Sequence, residues 1–169
     1  MEKLINKRQL GFSLIEVLIV IAIIAIVATI SIPFFGGFVA NRNLKSAARD
    51  IAGDIFELKA RAGAEDRLYQ ISFNQGANTY TLTQCTNTAV FPCLGNDTTK
   101  SLSAFGSGIA ISALNLPGGN VIQVQSRGVI NPANNAGGFI TLINSRGSTA
   151  SITINLTGRA SVDWTGTLL

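Results

Sequence analysis

The chain has 169 residues, 47% of them hydrophobic and 13% charged, with 13 Lys and Arg against 9 Asp and Glu. So apolar a composition, with charges well below the usual share of about 25%, excludes an intrinsically disordered chain. Histidine is absent and there are 2 cysteines. That excludes Ser-His-Asp and Cys-His catalysis, histidine metal sites and a cysteine-only zinc site; no enzymatic activity, metal or cofactor is expected.

Residues 1–11 carry Lys3, Lys7 and Arg8 against a single acid, Glu2. From Val17 to Asn41 there is no charged residue, and the core of this run reads VLIVIAIIAIVATISI. A helix crosses a bilayer with about 20 apolar residues, so the run predicts a membrane-spanning helix. The preceding cations place the N-terminus on the cytoplasmic side and the remainder of the chain across the membrane. Glu16 lies inside the apolar block. A carboxylate there is costly in lipid, which marks it as a functional position. Pro33, followed by Gly36 and Gly37, predicts a kink or loosened helix over 32–37, because proline removes a backbone donor and glycine lowers helix propensity.

Beyond residue 38 the pattern becomes amphipathic. Leu44, Ala48, Ile51, Ile55 and Leu58 recur at helical spacing, with Ala52 and Phe56 beside them. Arg42, Lys45, Arg49, Asp50, Asp54, Glu57 and Arg61 form the polar remainder, read as a solvated face. A continuous helix from Ser13 to Ala62 would be roughly 75 Å long. After Gly63 the polar residues become Thr, Asn, Ser and Gly. Tyr69–Phe73 with Thr79–Gln84, and Gly138–Asn144 with Ala150–Asn155, read as hairpins. Ile109–Leu114, Val121–Gln125 and Arg159–Trp164 are further strands. The expected fold is α+β. A basic N-terminal segment (1–11) precedes an apolar helix half (12–37) and an amphipathic half (38–66), which packs on an antiparallel β-sheet head (67–169).

The stretch Lys7-Arg8-Gln9-Leu10-Gly11-Phe12-Ser13-Leu14-Ile15-Glu16, running into the apolar block, resembles the prepilin signature of type IV pilins and type II secretion pseudopilins. The resemblance implies the type IV pilin fold and cleavage between Gly11 and Phe12 by a prepilin peptidase. It also implies N-methylation of the new terminal residue Phe12. Glu16 then becomes the assembly residue, pairing with the free amine of a neighbouring subunit, and Pro33 falls where the family usually has a proline. Small Gly11 suits close approach of a protease to the backbone.

A second resemblance lies in the head. IQVQSRGVI (Ile122–Ile130), GFITLIN (Gly138–Asn144) and ITINLTGR (Ile152–Arg159) are similar to the C-terminal blocks of the GspH/FimT family of minor pilins and pseudopilins. The implied function is a structural minor pilin or pseudopilin. Its implied partners are other pilin subunits, the prepilin peptidase, an inner-membrane platform, a cytoplasmic ATPase, and lipid before assembly. The implied location is the inner membrane, with a periplasmic head, and then a filament. The alternative is a tip pilin that binds DNA or an adhesion target. Arg127, Arg146 and Arg159 are its candidate nucleic-acid contacts, although the family's "GR-x-R" end here reads Gly158-Arg159-Ala160-Ser161. With the head outside the cytoplasm, Cys85 and Cys93 suggest a structural disulfide.

Overall fold

The computed structural model describes residues 12–87, 91–116, 118–130 and 137–165, without the side chains of 31–35 and 87. The expected leader, including Gly11, lies outside the described residues. One helix, α1, runs over Leu14–Glu65, 52 residues. The helix is unbroken through Pro33, Gly36 and Gly37. Ser13 opens it: its carbonyl accepts from the Glu16 and Val17 N–H groups at 3.1 and 3.3 Å. At the other end Asp66 takes φ +50 and the Arg67 N–H reaches back to the Ala62 carbonyl at 3.2 Å. This is the bond that satisfies a last-turn carbonyl when the chain turns left-handed. The helix therefore passes Gly63, where the composition shift suggested a stop, and ends two residues later, at Glu65.

The chain divides into two compact units, Met1–Gly36 and Gly37–Leu169. In the first, the described apolar side chains from Phe12 to Ile30 are exposed all round the helix. Among the described residues no helix is long and apolar enough to cross a membrane; the apolar run continues into 31–35, whose side chains are not described.

In the second unit the chain continues as β1 (Tyr69–Asn74), β2 (Thr79–Asn87), β3 (Leu94–Ser101), a 3-10 turn (Leu102–Phe105), β4 (Ala110–Asn115), β5 (Val121–Val124), β6 (Gly138–Ile143), β7 (Thr149–Ile154) and β8 (Ala160–Thr165). They form two four-stranded sheets, ordered β3-β2-β1-β5 and β4-β6-β7-β8, and every pairing is antiparallel. The expected hairpins are present, with Ile71 opposite Leu82 and Ile140 opposite Ile152. Leu44, Ala47, Ala48, Ile51, Ile55, Leu58 and Ala62 of α1 join Ile71, Tyr80 and Ile122 of one sheet and Ile140, Leu142 and Ile152 of the other in a single core. Burying each such large side chain is worth about 1.5–3 kcal/mol, and this closes the head around the helix face that the 3–4 spacing marked out.

Two residues of the helix depart from the sequence reading. Phe56, placed beside the apolar face, is 71% exposed. Asp54, placed with the solvated charges, is 5% exposed and belongs to the interior. The head also gains a strand, β3, that its sequence LGNDTTKS does not advertise.

Candidate assembly site and the head that carries it

Phe12 and Ser13 precede the first turn of α1, and Glu16 lies within that turn. A negative charge there meets the positive end of the helix dipole, typically worth 0.3–1 kcal/mol. Phe12 is 84% exposed, and Leu14, Ile15, Val17 and Leu18 around Glu16 are also open. Further along, the Thr29 hydroxyl donates to the Ala25 and Ile26 carbonyls at 2.9 and 2.8 Å. With its hydroxyl satisfied inside the helix, Thr29 can enter apolar surroundings without a desolvation penalty. A helix that is apolar on every side is built to be surrounded. The segment thus offers a carboxylate four residues from the exposed aromatic Phe12, at the head of a helix that is apolar on every side.

The polar centre of the head was not foreseen. The Asp54 carboxylate accepts from the Tyr80 hydroxyl at 2.7 Å and from Lys100 Nζ at 2.8 Å. Asp50 accepts from Tyr80 at 3.0 Å and from Lys100 at 3.4 Å. Two helix carboxylates thus share one ammonium and one phenol on β2 and β3. Burial raises the Tyr80 hydroxyl far above its ordinary range, and Asp54 and Asp50 push it further. Burial works against the Lys100 ammonium, but Asp54 and Asp50 outweigh it and the pKa rises. The signal in the sequence was Asp50 and Asp54 at i,i+4, like charges that disfavour an isolated helix unless a shared cation lies between them.

Cys85 and Cys93 form a disulfide, with Cα atoms 5.7 Å apart. Between α1 and the first sheet, a groove of about 400 Å³ runs along Leu58, Arg61 and Glu65 of the helix and Leu82 and Thr98 of the strands.

The glycine-flanked arginines sit in three turns of one design. In each, the first residue's N–H donates to the carbonyl four residues on, and its own carbonyl accepts from a glycine N–H three residues on. The pairs are Gln125/Val129 with Gly128, Asn144/Ser148 with Gly147, and Asn155/Arg159 with Gly158. The glycines take φ of +71, +83 and +70, as a type I turn followed by a left-handed residue requires. Asn144 and Asn155 add side-chain caps, accepting from the Arg146 and Arg159 N–H at 3.0 and 2.8 Å. All three arginine side chains are exposed.

Two of these turns press on α1. A Cβ at Gly128 would stand 3.2 Å from the Lys59 carbonyl oxygen, and one at Gly158 2.8 Å from Lys59 Cδ. The Arg146 turn lies at the other end of β7, where Asn144 Nδ2 donates to Asn41 Oδ1 at 2.9 Å. Asn41 and Lys59 are roughly 27 Å apart along the helix at 1.5 Å per residue. The structure brings Arg127 and Arg159 to one end of the head and leaves Arg146 at the other.

Residues 6–32 match the prokaryotic N-terminal methylation motif. The long helix packed on antiparallel sheets is a type IV pilin-like fold. Similar in fold is the minor pseudopilin EpsH from the type II secretion system of Vibrio cholerae, 13% identical, with a TM-score of 0.53 over 73% of this chain and 97% of that one. Similar too is the type IV minor pilin FimU of Pseudomonas aeruginosa, 10% identical, with a TM-score of 0.54 over 75% of this chain and 92% of that one. Among curated sequences none matches this chain significantly.

Proposed function

We propose that the chain is a structural minor pilin or pseudopilin. It is cleaved after Gly11 and methylated on Phe12, and it is then built into a type IV pilus or a type II secretion pseudopilus. The observation that carries this reading is the methylation motif on a helix whose apolar side chains from Phe12 to Ile30 are exposed on every side. Before assembly, lipid of the inner membrane surrounds that helix and the head lies outside the cytoplasm. After assembly, other subunits surround it. Glu16 pairs with the amine of a neighbouring subunit's Phe12, because an ion is tolerated in an apolar bundle chiefly when paired. The prepilin peptidase, the platform and its ATPase supply cleavage and movement. Pro33 and the following glycines let the helix flex between its two uses.

The DNA-binding alternative is not favoured: Arg146 is remote from Arg127 and Arg159, and their glycines have a packing reason against Lys59. The test is fractionation of the producing cells. The reading expects a shortened chain in sheared filaments or in the pseudopilus fraction. It also expects the Gly11→Glu variant to stay uncleaved in the membrane; efficient assembly of that variant would contradict it.

A further inference from the structure

β3 is an edge strand of eight residues. The opposite edge of its sheet, β5, has four residues and all are buried. Edge strands are ordinarily guarded by free charges, prolines, bulges or a covering element. Both charges of β3 are tied down instead, and the register shift in its pairing with β2 lies at Cys85/Asn87, away from Asp97–Ser101. Lys100 is drawn to Asp54 and Asp50, and Asp97 accepts from the Thr83 hydroxyl at 2.6 Å.

The register tells which backbone groups are free. The Leu102 N–H donates to the Asn78 carbonyl at 3.0 Å, next to the Thr79–Ser101 and Tyr80–Lys100 pairs. Bonded and non-bonded pairs alternate in an antiparallel ladder. Lys100, Thr98 and Asn96 therefore turn their backbone toward β2, while Ser101, Thr99 and Asp97 turn theirs outward. The Cys85 N–H, which donates to Leu68 on the β1 side at 3.1 Å, fixes the same phase from the other direction.

The groove beside α1 lies on the helix-facing side of this edge, with Thr98 and Asn96 on its floor. Its ionisable lining is Asp54, Glu57 and Glu65 against Arg61 and Lys100, one negative charge in excess. Glu57 is paired with Arg61 at 2.6 Å. Among the described residues Glu65 accepts only from neutral donors, Tyr69 Oη at 2.6 Å and Gln84 Nε2 at 3.1 Å. The uncompensated charge sits at that end, in a chain whose formal net charge is +4, or +2 without residues 1–11, which carry three bases and one acid.

We propose that β3 is the docking edge for an extended segment of a neighbouring subunit. The segment adds a strand through the outward groups of Asp97, Thr99 and Ser101 and lays a Lys or Arg side chain into the groove against Glu65. Main-chain pairing supplies the affinity, and the alternate side chains entering the groove supply the selectivity. This rests on the filament reading above, since the neighbour is a filament subunit.

Hydrogen exchange resolved to single amides, on the full-length processed chain in detergent and in sheared filaments, tests it. In filaments the Asp97, Thr99 and Ser101 amides should slow by on the order of tenfold or more. Thr99→Pro removes one outward donor and keeps the β2–β3 bonds, as an edge position permits. It should abolish the slowing at Asp97 and Ser101 while leaving the core amides protected. Glu65→Gln should weaken the slowing. Equal exchange in the two forms, or slowing that survives Thr99→Pro, overturns the edge pairing and leaves the filament reading intact. A wild-type chain missing from the filaments overturns that reading and this proposal with it.

Discussion

Gln70 grips Cys93 with both ends of its amide: Nε2 donates to the Cys93 carbonyl at 3.4 Å, and Oε1 accepts from the Cys93 N–H at 2.9 Å. The side chain is buried, and it stands in for a strand, giving the segment after the disulfide ring a ladder-like hold on β1. Two devices thus secure one segment, the Cys85–Cys93 bond and the Gln70 amide.

Gln70→Leu would leave two buried backbone groups of Cys93 without partners, which costs about 1–3 kcal/mol. The disulfide closes so short a ring that its loss costs about 2.5 kcal/mol at most. Reduction alone should therefore open the Thr86–Cys93 loop to proteolysis before the sheets unfold. Reduction in the Gln70→Leu background should cost more than the two changes added separately, because both act on Cys93. Denaturant unfolding of the Gly37–Leu169 unit, with and without reductant, measures the coupling.

The three glycine turns separate two costs. Gly147 takes φ +83, and a Cβ there meets nothing within 4 Å. Gly147→Ala should then cost only the left-handed conformation, about 1 kcal/mol. Gly128→Ala adds a collision with the Lys59 backbone oxygen, and Gly158→Ala adds one with the Lys59 side chain. Both should lose about 1 kcal/mol more than Gly147→Ala, with Gly128 the worse because a helix carbonyl yields less than a lysine stem. Melting temperatures of the three variants give the order.

These turns mark how far the sequence could be read. The hairpin of Gly138–Asn144 with Ala150–Asn155 around the Arg146 turn, and the strand after Gly158, fall in their expected places. That two of the glycines serve α1 was not visible, because nothing local in Gly128 or Gly158 points to Lys59. The buried face of α1 was legible from its 3–4 spacing. Asp54 was not, because a charge leaves a helix's solvated side only when a distant partner such as Lys100 is supplied. β3 escaped for a related reason: an edge strand with one covered face carries polar residues that read as loop. The N-terminal site was the most legible part, since a linear motif needs no tertiary contact to be seen.

Alkaline pH should loosen the head. Tyr80 has its pKa raised above 10.0 and Lys100 above 10.5 in the folded chain. A group that holds its proton more tightly when folded stabilises the fold below its unfolded pKa, and this is lost as pH rises past that value. Stability should therefore be flat from neutral pH to about 9 and fall above about 10. Tyr80→Phe should flatten that fall, at the cost of lower stability near neutral pH. Thermal melts across pH 7–11 would reveal it; an identical alkaline slope in wild type and Tyr80→Phe would remove the cluster's role.

Glu16→Ala should insert and be cleaved as the wild type is, because the proposed cleavage turns on Gly11. Its entry into filaments should drop by on the order of tenfold, since the neighbour's amine is left unpaired in an apolar bundle. Quantifying mutant against wild-type chain in filaments sheared from cells making both would check this. Equal incorporation would remove the pairing role.

Intact-mass and N-terminal peptide spectrometry of the chain recovered from sheared filaments or membranes tests the central claim most directly. The account predicts a mature chain beginning at Phe12, heavier by one methyl group on its terminal amine. A chain still beginning at Met1, or one beginning beyond Gly36, would contradict it.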